Sequence, residues 1–148
     1  MSYRGFFKPK NPAKYKGNPA NIIYRSSWEL KLMLYLDTHP EVLEWSSEEF
    51  FIPYRSPIDN KMHRYFPDFK VKKLLPNAQT ETVVIEVKPR SQAIPPTLKS
   101  KNTKPTKRYL REVMTYGINE AKWKAATEYC KDRKWKFMVM TEKELGIK

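Results

Sequence analysis

Three residues of this 148-residue chain, Asp68, Glu86 and Lys88, have types and spacing that could do chemistry together. Glu86 and Lys88 lie in the β-branched run Val83-Val84-Ile85-Glu86-Val87-Lys88. Alternation of period two puts Val84, Glu86 and Lys88 on one face of a strand and Val83, Ile85 and Val87 on the other. Asp68 lies in Tyr65-Phe66-Pro67-Asp68-Phe69-Lys70-Val71, beside Phe66 and Lys70 on one side, with Tyr65, Phe69 and Val71 opposite. If the two strands pair, the carboxylates converge among apolar neighbours. Two carboxylates at close range repel unless a cation lies between them, and hard oxygen ligands suit Mg²⁺ or Mn²⁺. Lys88 then sits where an ammonium orients an attacking water or stabilises charge developing on a phosphate. The chemistry these residues imply is metal-assisted hydrolysis of a phosphate ester.

The elements that must position them can be traced outward from the pair. Upstream, Ser26-Ser27-Trp28-Glu29 opens a helix that runs to about Asp37 and stops before Pro40, with Ser26 as N-cap and Glu29 at the third helical position, a capping box. Glu29 has a second possible task as the third acid of the site. Trp28, Leu30, Leu32, Met33, Leu34, Tyr35 and Leu36 leave this helix little polar surface, so burial on most sides is expected. Val42 to Trp45 and Glu49 to Tyr54 read as short strands, Pro57-Ile58-Asp59-Asn60 as a turn, and Lys61 to Lys73 as one longer strand. His63, just before the Pro-Asp pair, is either a phosphate ligand or base, or an ordinary surface or packing residue.

Pro89 to Pro105, with four prolines among Lys, Ser and Thr, is expected to be irregular, a basic flap leaving directly from the strand that carries Glu86 and Lys88. Tyr109 to Tyr116 and Ile118 to Arg133 read as helices divided or kinked at Gly117. Asn119 and Lys122, spaced i, i+3, share a side that faces either the candidate site or solvent. Trp135 to Met140 is a last strand, and Thr141-x-x-Glu144 signals a short terminal helix. Helix, strands, helix, strand in that order predicts an α/β domain with a mixed central sheet flanked by helices.

Charge points to the partner. The net charge is +13, and two acid-free segments, Met1 to Trp28 and Val87 to Arg111, hold 14 of the 29 Lys and Arg, leaving the rest near neutral. Localised excess of this kind is the electrostatic footprint for a polyanion such as nucleic acid; a solubilising surface is the other reading. The N-terminal segment, residues 1–22, reads as an extended basic arm whose aromatics Tyr3, Phe6, Phe7 and Tyr15 either stack on bases or clip the arm to a domain of residues 23–148. A hydrophobic fraction of 40% argues against disorder. One cysteine, Cys130, excludes an internal disulfide, and two histidines with one cysteine cannot supply a zinc finger, so any metal site is built from carboxylates. No apolar run is long enough to span a bilayer, and Met1 to Lys8 lacks a signal-peptide core, so no membrane partner is expected.

Pro67-Asp68 with Glu86-x-Lys88 resembles the signature of the PD-(D/E)xK nuclease superfamily, whose core is restriction-endonuclease-like. Arg25-Ser26-Ser27-Trp28-Glu29, Phe50 to Tyr54, Phe66 to Phe69, Glu86 to Lys88, Asn119 to Trp123 and Thr141 to Leu145 look like the motif series of TnsA-like transposase endonucleases. Nearly the full length, including the arm and Tyr54 to Asp59, is similar to the head completion nucleases of T-even-like tailed phages. That resemblance implies a Mg²⁺-dependent (or Mn²⁺-dependent) deoxyribonuclease of little sequence specificity, with Glu29, Asp68 and Glu86 as metal ligands and Lys88 as catalytic lysine. TnsA-like members can carry Gln where this chain has Glu86, so the ligand roles differ among relatives. It further implies double-stranded DNA and phage head or neck proteins as partners, and a place in the virion and in host cytoplasm during assembly. The basic flap, with Arg90, Lys99, Lys101, Lys104, Lys107 and Arg108, and the helical pair Asn119 and Lys122 are the expected DNA contacts. A non-catalytic DNA-binding head-joining protein is the rival reading, and metal-dependent turnover separates the two.

Overall fold

The computed structural model describes residues 4–97 and 104–146. Four strands make the central sheet: β3 (Val42–Ser47), β6 (Phe69–Leu74), β7 (Thr80–Val87) and β8 (Lys136–Met140), in the order β3-β6-β7-β8. The first two pairings are antiparallel and β7 runs parallel to β8, so the sheet is mixed, as the α/β expectation required. A parallel pair needs a long crossover. Here it is supplied by α2 (Arg90–Ala93) and α3 (Lys107–Asp132). A hairpin of β4 (Ile52–Arg55) and β5 (Met62–Tyr65) forms a separate small sheet, and β1 (Gly5–Phe6) pairs with β2 (Ile23–Tyr24) near the N-terminus.

The period of β7 sorts its residues as the alternation demands. Val83 and Ile85 enter one core with Phe69, Val71 and Trp45 and with Leu32, Met33 and Leu36 of α1 (Ser27–Thr38). On the other side α3 lays Ala126, Ala125, Ala121 and Tyr129 against Ile52, Tyr54, Tyr65 and Phe137, which form a second cluster. Burying the larger apolar side chains of these cores stabilises the fold by about 1.5–3 kcal/mol each before entropy is counted. The helix α1 is less enclosed than its sequence implies, because Leu34 and Tyr35 are half exposed on its outer side. Residues Phe7, Tyr15 and Ile22 of the N-terminal segment are buried in the first core, and Tyr15 packs edge-on against Trp45 with ring centroids 4.8 Å apart.

Several expectations are corrected. Lys61 to Lys73 is not one strand: Met62–Tyr65 pairs with β4 and Phe69–Leu74 with β3 and β7, and Phe66-Pro67-Asp68 makes the crossing between sheets. Proline lacks the amide hydrogen a central ladder needs, so the strand breaks there. Tyr65 therefore joins the second cluster rather than sharing a face with Phe69 and Val71. The segment after Pro89 holds one short helix, α2, with Pro89 at its N-cap. Gly117 does not divide α3, which is continuous over 26 residues; a helical glycine costs only about 1 kcal/mol, and the surrounding turns carry it. The Thr141 cap forms, with Glu144 Oε2 accepting from Thr141 N (3.1 Å) and Oγ1 (2.6 Å), yet only turns follow up to Gly146, whose positive φ of 71° leaves the helical region.

Candidate active site

Asp68 stands at the crossing between the two sheets, next to the end of β7. Its Oδ2 accepts from the amide of Val87 at 2.8 Å, and its carbonyl accepts from Glu48 N at 3.2 Å, so it is strapped between β3 and β7. Glu86 is buried and points to the α3 side of the sheet, as its alternation with Ile85 dictates. Glu86 Oε1 accepts from the Tyr65 hydroxyl at 2.8 Å. Lys88 Nζ is 3.6 Å from Glu86 Oε2, an ion pair longer than a hydrogen bond. The break at Pro67 is what makes this arrangement possible: Tyr65 and Asp68, three residues apart, reach Glu86 and the Val87 amide from different sheets.

Electrostatics mark Asp68 as the strained member. Burial first, then the Glu86 charge, push its pKa well above the usual carboxylate range, with Glu29 and Glu48 adding to the push and the Val87 amide opposing it. Burial and the Glu86 charge likewise hold the Tyr65 phenol far above its ordinary pKa, so it stays protonated and donating. Glu29 is raised chiefly by burial. The Ser26 hydroxyl accepts from Glu29 N at 3.1 Å, completing the N-cap, while the Glu29 carboxylate reaches back to Arg25 N and Ser26 Oγ, both at 3.5 Å. Those two contacts lie at the limit of a hydrogen bond, so the carboxylate is loosely held.

Among the described residues no three His, Cys, Asp or Glu side chains are grouped as metal ligands. The donor set at Asp68 and Glu86 nonetheless fits a hard divalent cation. Mg²⁺ keeps several waters and commonly takes one or two carboxylates, and a buried Glu86 and a partly buried Asp68 that repel each other lack the positive charge that Lys88, 3.6 Å from Glu86, only partly supplies.

The structure gathers some of the expected DNA contacts around this pair and scatters others. Lys122 Nζ sits over the Tyr65 and Tyr54 rings, 5.6 and 5.8 Å from their centroids, one residue removed from Glu86. Asn119 is buried rather than on a solvated face. Arg90 begins α2, and its amide donates to Glu142 Oε1 at 2.8 Å. Lys104, Lys107 and Arg108 are exposed at the start of α3, while Lys99 and Lys101 lie outside the described residues. His63 is elsewhere: its Nε2 is 2.8 Å from Asp59 Oδ2 in the β4-β5 hairpin. Three contributors escaped the sequence reading. Tyr65 was assigned to the wrong face, and Arg25 and Glu48, which pair with each other at the edge of the site, carry no short-range pattern. Glu48 has a positive φ of 53°, an uncommon conformation for its type.

A largely enclosed acid pair with an adjacent lysine, on a mixed sheet flanked by helices, is the frame of a nuclease-type domain, and the family assignment agrees. The profile described as "TnsA-like endonuclease N terminal" matches residues 39–142, and the chain belongs to that family. It is also similar to the head completion nuclease of Enterobacteria phage T4, 38% identical over 152 aligned residues that span 100% of this chain and 99% of the relative. No helix among the described residues is long and apolar enough to cross a membrane.

Proposed function

We propose that the protein is a divalent-metal-dependent deoxyribonuclease that processes DNA during phage head completion. The observation that carries the reading is the Asp68–Glu86 pair, with Glu86 buried and Asp68 partly so, under-compensated and flanked by Lys88 in a TnsA-like domain. Asp68 and Glu86 hold a Mg²⁺ (or Mn²⁺) ion. Glu29 joins them as a third acid, since its cap contacts are long and its burial already disfavours the bare charge. Bound there, the cation supplies Lewis-acid stabilisation of charge on the phosphate and its leaving oxygen. Lys88 directs its ammonium at the attacking water or the phosphate. Tyr65 keeps one oxygen of Glu86 occupied as an acceptor, which orients the other toward Lys88.

Lys104, Lys107 and Arg108 contact the phosphate backbone, with Arg90, Lys99, Lys101, Asn119 and Lys122 completing the DNA surface. The first turn of α3 contains basic residues and no acid, against the preference of a helix N-terminus for negative charge. A phosphate brought there relieves the conflict. No base-reading helix or zinc finger is in the sequence, so contacts of this kind predict little sequence specificity. Similarity to the T4 head completion nuclease supports a role in head completion, with head or neck proteins as partners and the virion and host cytoplasm as the setting. The test is cleavage of linear duplex DNA by purified protein with Mg²⁺ and with chelator. Turnover with Mg²⁺ that disappears in Asp68→Ala supports the reading; DNA binding without turnover at any divalent metal favours the non-catalytic head-joining protein.

A further inference from the structure

A cavity of about 500 Å³ opens between α2 and the N-terminal half of α3. Its place is set by the chain: α2 starts two residues after Lys88, and Asn119, on the cavity wall, lies one turn before Lys122, which sits over Tyr65. Three residues of the wall are apolar or aromatic, Ile94, Pro96 and Tyr116, and the Tyr116 ring is braced edge-on against Trp123 with centroids 6.5 Å apart. Asn119 offers an amide that is only 6% exposed, an expensive place for a polar group unless a ligand or neighbour answers it. Arg108 and Arg111, one helical turn apart, line the same opening together with Glu112, which pairs with Arg108 at 3.2 Å, so Arg111 is the guanidinium of the wall without an acidic partner among the described residues.

An aromatic face, a buried amide with both donor and acceptor, and a guanidinium rim are the three things a nucleotide uses: stacking for the base, hydrogen bonds for its edge and charge for its phosphate. The volume lies within the roughly 300–1,000 Å³ range of small-ligand sites. A paired base cannot enter such a cavity without leaving its helix. We infer that the cavity receives one unpaired nucleotide of the strand bound at Asp68 and Glu86, so that frayed ends and single-stranded stretches are engaged in preference to closed duplex. The inference rests on the nuclease reading, and its test is separable from it.

Binding is measured by fluorescence anisotropy without divalent metal, on a duplex ending in a single-stranded thymidine tail and on the same duplex whose tail is abasic, so that the phosphates are identical. Wild-type protein should prefer the thymidine tail by about tenfold, the scale of one stacked base. Tyr116→Ala, which removes the stacking face, and Thr115→Trp, which fills the cavity from an exposed position, should both erase the preference while leaving affinity for blunt duplex and the melting temperature unchanged. Equal binding of the two tails by wild type, or a preference that survives both substitutions, overturns the inference. Asp68→Asn should retain the preference and lose cleavage; if it cleaves normally, the nuclease assignment at Asp68 falls while the base preference stands on its own.

Discussion

Asp37 and Asp68 are both aspartates withdrawn from solvent, Asp37 fully and Asp68 in part, and the chain treats them in opposite ways. Asp37, 1% exposed at the end of α1, accepts from the amides of Lys10 at 2.8 Å and Asn11 at 3.1 Å. Its carbonyl takes Asn11 Nδ2 and Lys14 Nζ, so the N-terminal segment is fastened to the helix through one residue. Asp68 has one amide partner and three acids in its field. The first arrangement is what a fold needs from a buried carboxylate; the second is tolerable only if something else arrives. The two basic segments differ in part along the same line. Lys14 is held by carbonyls of Asp37 and His39, Lys16 by Glu44 and Arg25 by Glu48, whereas in the second segment Arg108 pairs with Glu112 but Lys104 and Lys107 have no acidic partner among the described residues. Compensated charge holds structure, and uncompensated charge is what the proposed DNA and metal sites would use.

The largest expected effect breaks the comparison at Asp68. Asp68→Ala and Glu86→Ala should each lower metal-dependent cleavage by far more than the ~10–100-fold typical of an outer-shell change, without unfolding the protein. Tyr65→Phe, which removes only the hydrogen bond to Glu86, should fall within that ~10–100-fold range, read as a raised Mg²⁺ requirement. Asp37→Ala should do the reverse of Asp68→Ala: about 2 kcal/mol or more of stability is lost as two amides lose their acceptor, while the folded fraction still cleaves DNA. At Glu29 the two tasks separate, since Glu29→Gln keeps the N-cap and should melt like wild type yet cleave far more slowly. Glu29→Ala loses only the two 3.5 Å carboxylate contacts besides, since the Ser26 cap bond uses the Glu29 backbone amide, so its melting temperature should fall only slightly in paired melting and rate measurements. The smallest effect is on salt dependence. Neutralising Lys104 and Lys107 should flatten the slope of log affinity against log salt by up to about two units, and neutralising Lys14 and Lys16 should leave it nearly unchanged.

What could be read from sequence was what local periodicity encodes. The faces of Val83 to Lys88, the Ser26 cap and the α/β order all follow from spacing within one element. The nearness of Asp68 to Glu86 follows from sequence in part, because the residues just after Asp68 pair with β7. The strand break at Pro67 was the missed step, although the proline itself was the available signal, and with it went the contact from Tyr65 to Glu86. The Arg25–Glu48 pair and the fastening at Asp37 join residues 23 and 26–27 positions apart, and no period of two or 3.6 records a contact at that range. Glu29 illustrates the opposite difficulty: one local pattern, the capping box, accounts for it so well that only the resemblance to known nucleases points to its place in the field of Asp68.

The central claim is that Asp68 and Glu86 form a site waiting for a divalent cation, and the metal-free melting temperature of wild type and Asp68→Asn against pH, with and without Mg²⁺, tests it most directly. The Asp68 pKa is raised to about 8 in the folded apo protein, against an unfolded value near ~3.9. Within that window the folded state holds a proton that the unfolded state has released, so stability should fall as pH rises from about 4 to about 8. Asp68→Asn removes that loss: the two proteins should melt together at pH 4, and the variant should melt higher at pH 8. Added Mg²⁺ should raise the wild-type melting temperature at pH 8 and leave the variant where it was. A variant that melts below wild type at pH 8 without metal, or that gains as much from Mg²⁺ as wild type does, would contradict the claim.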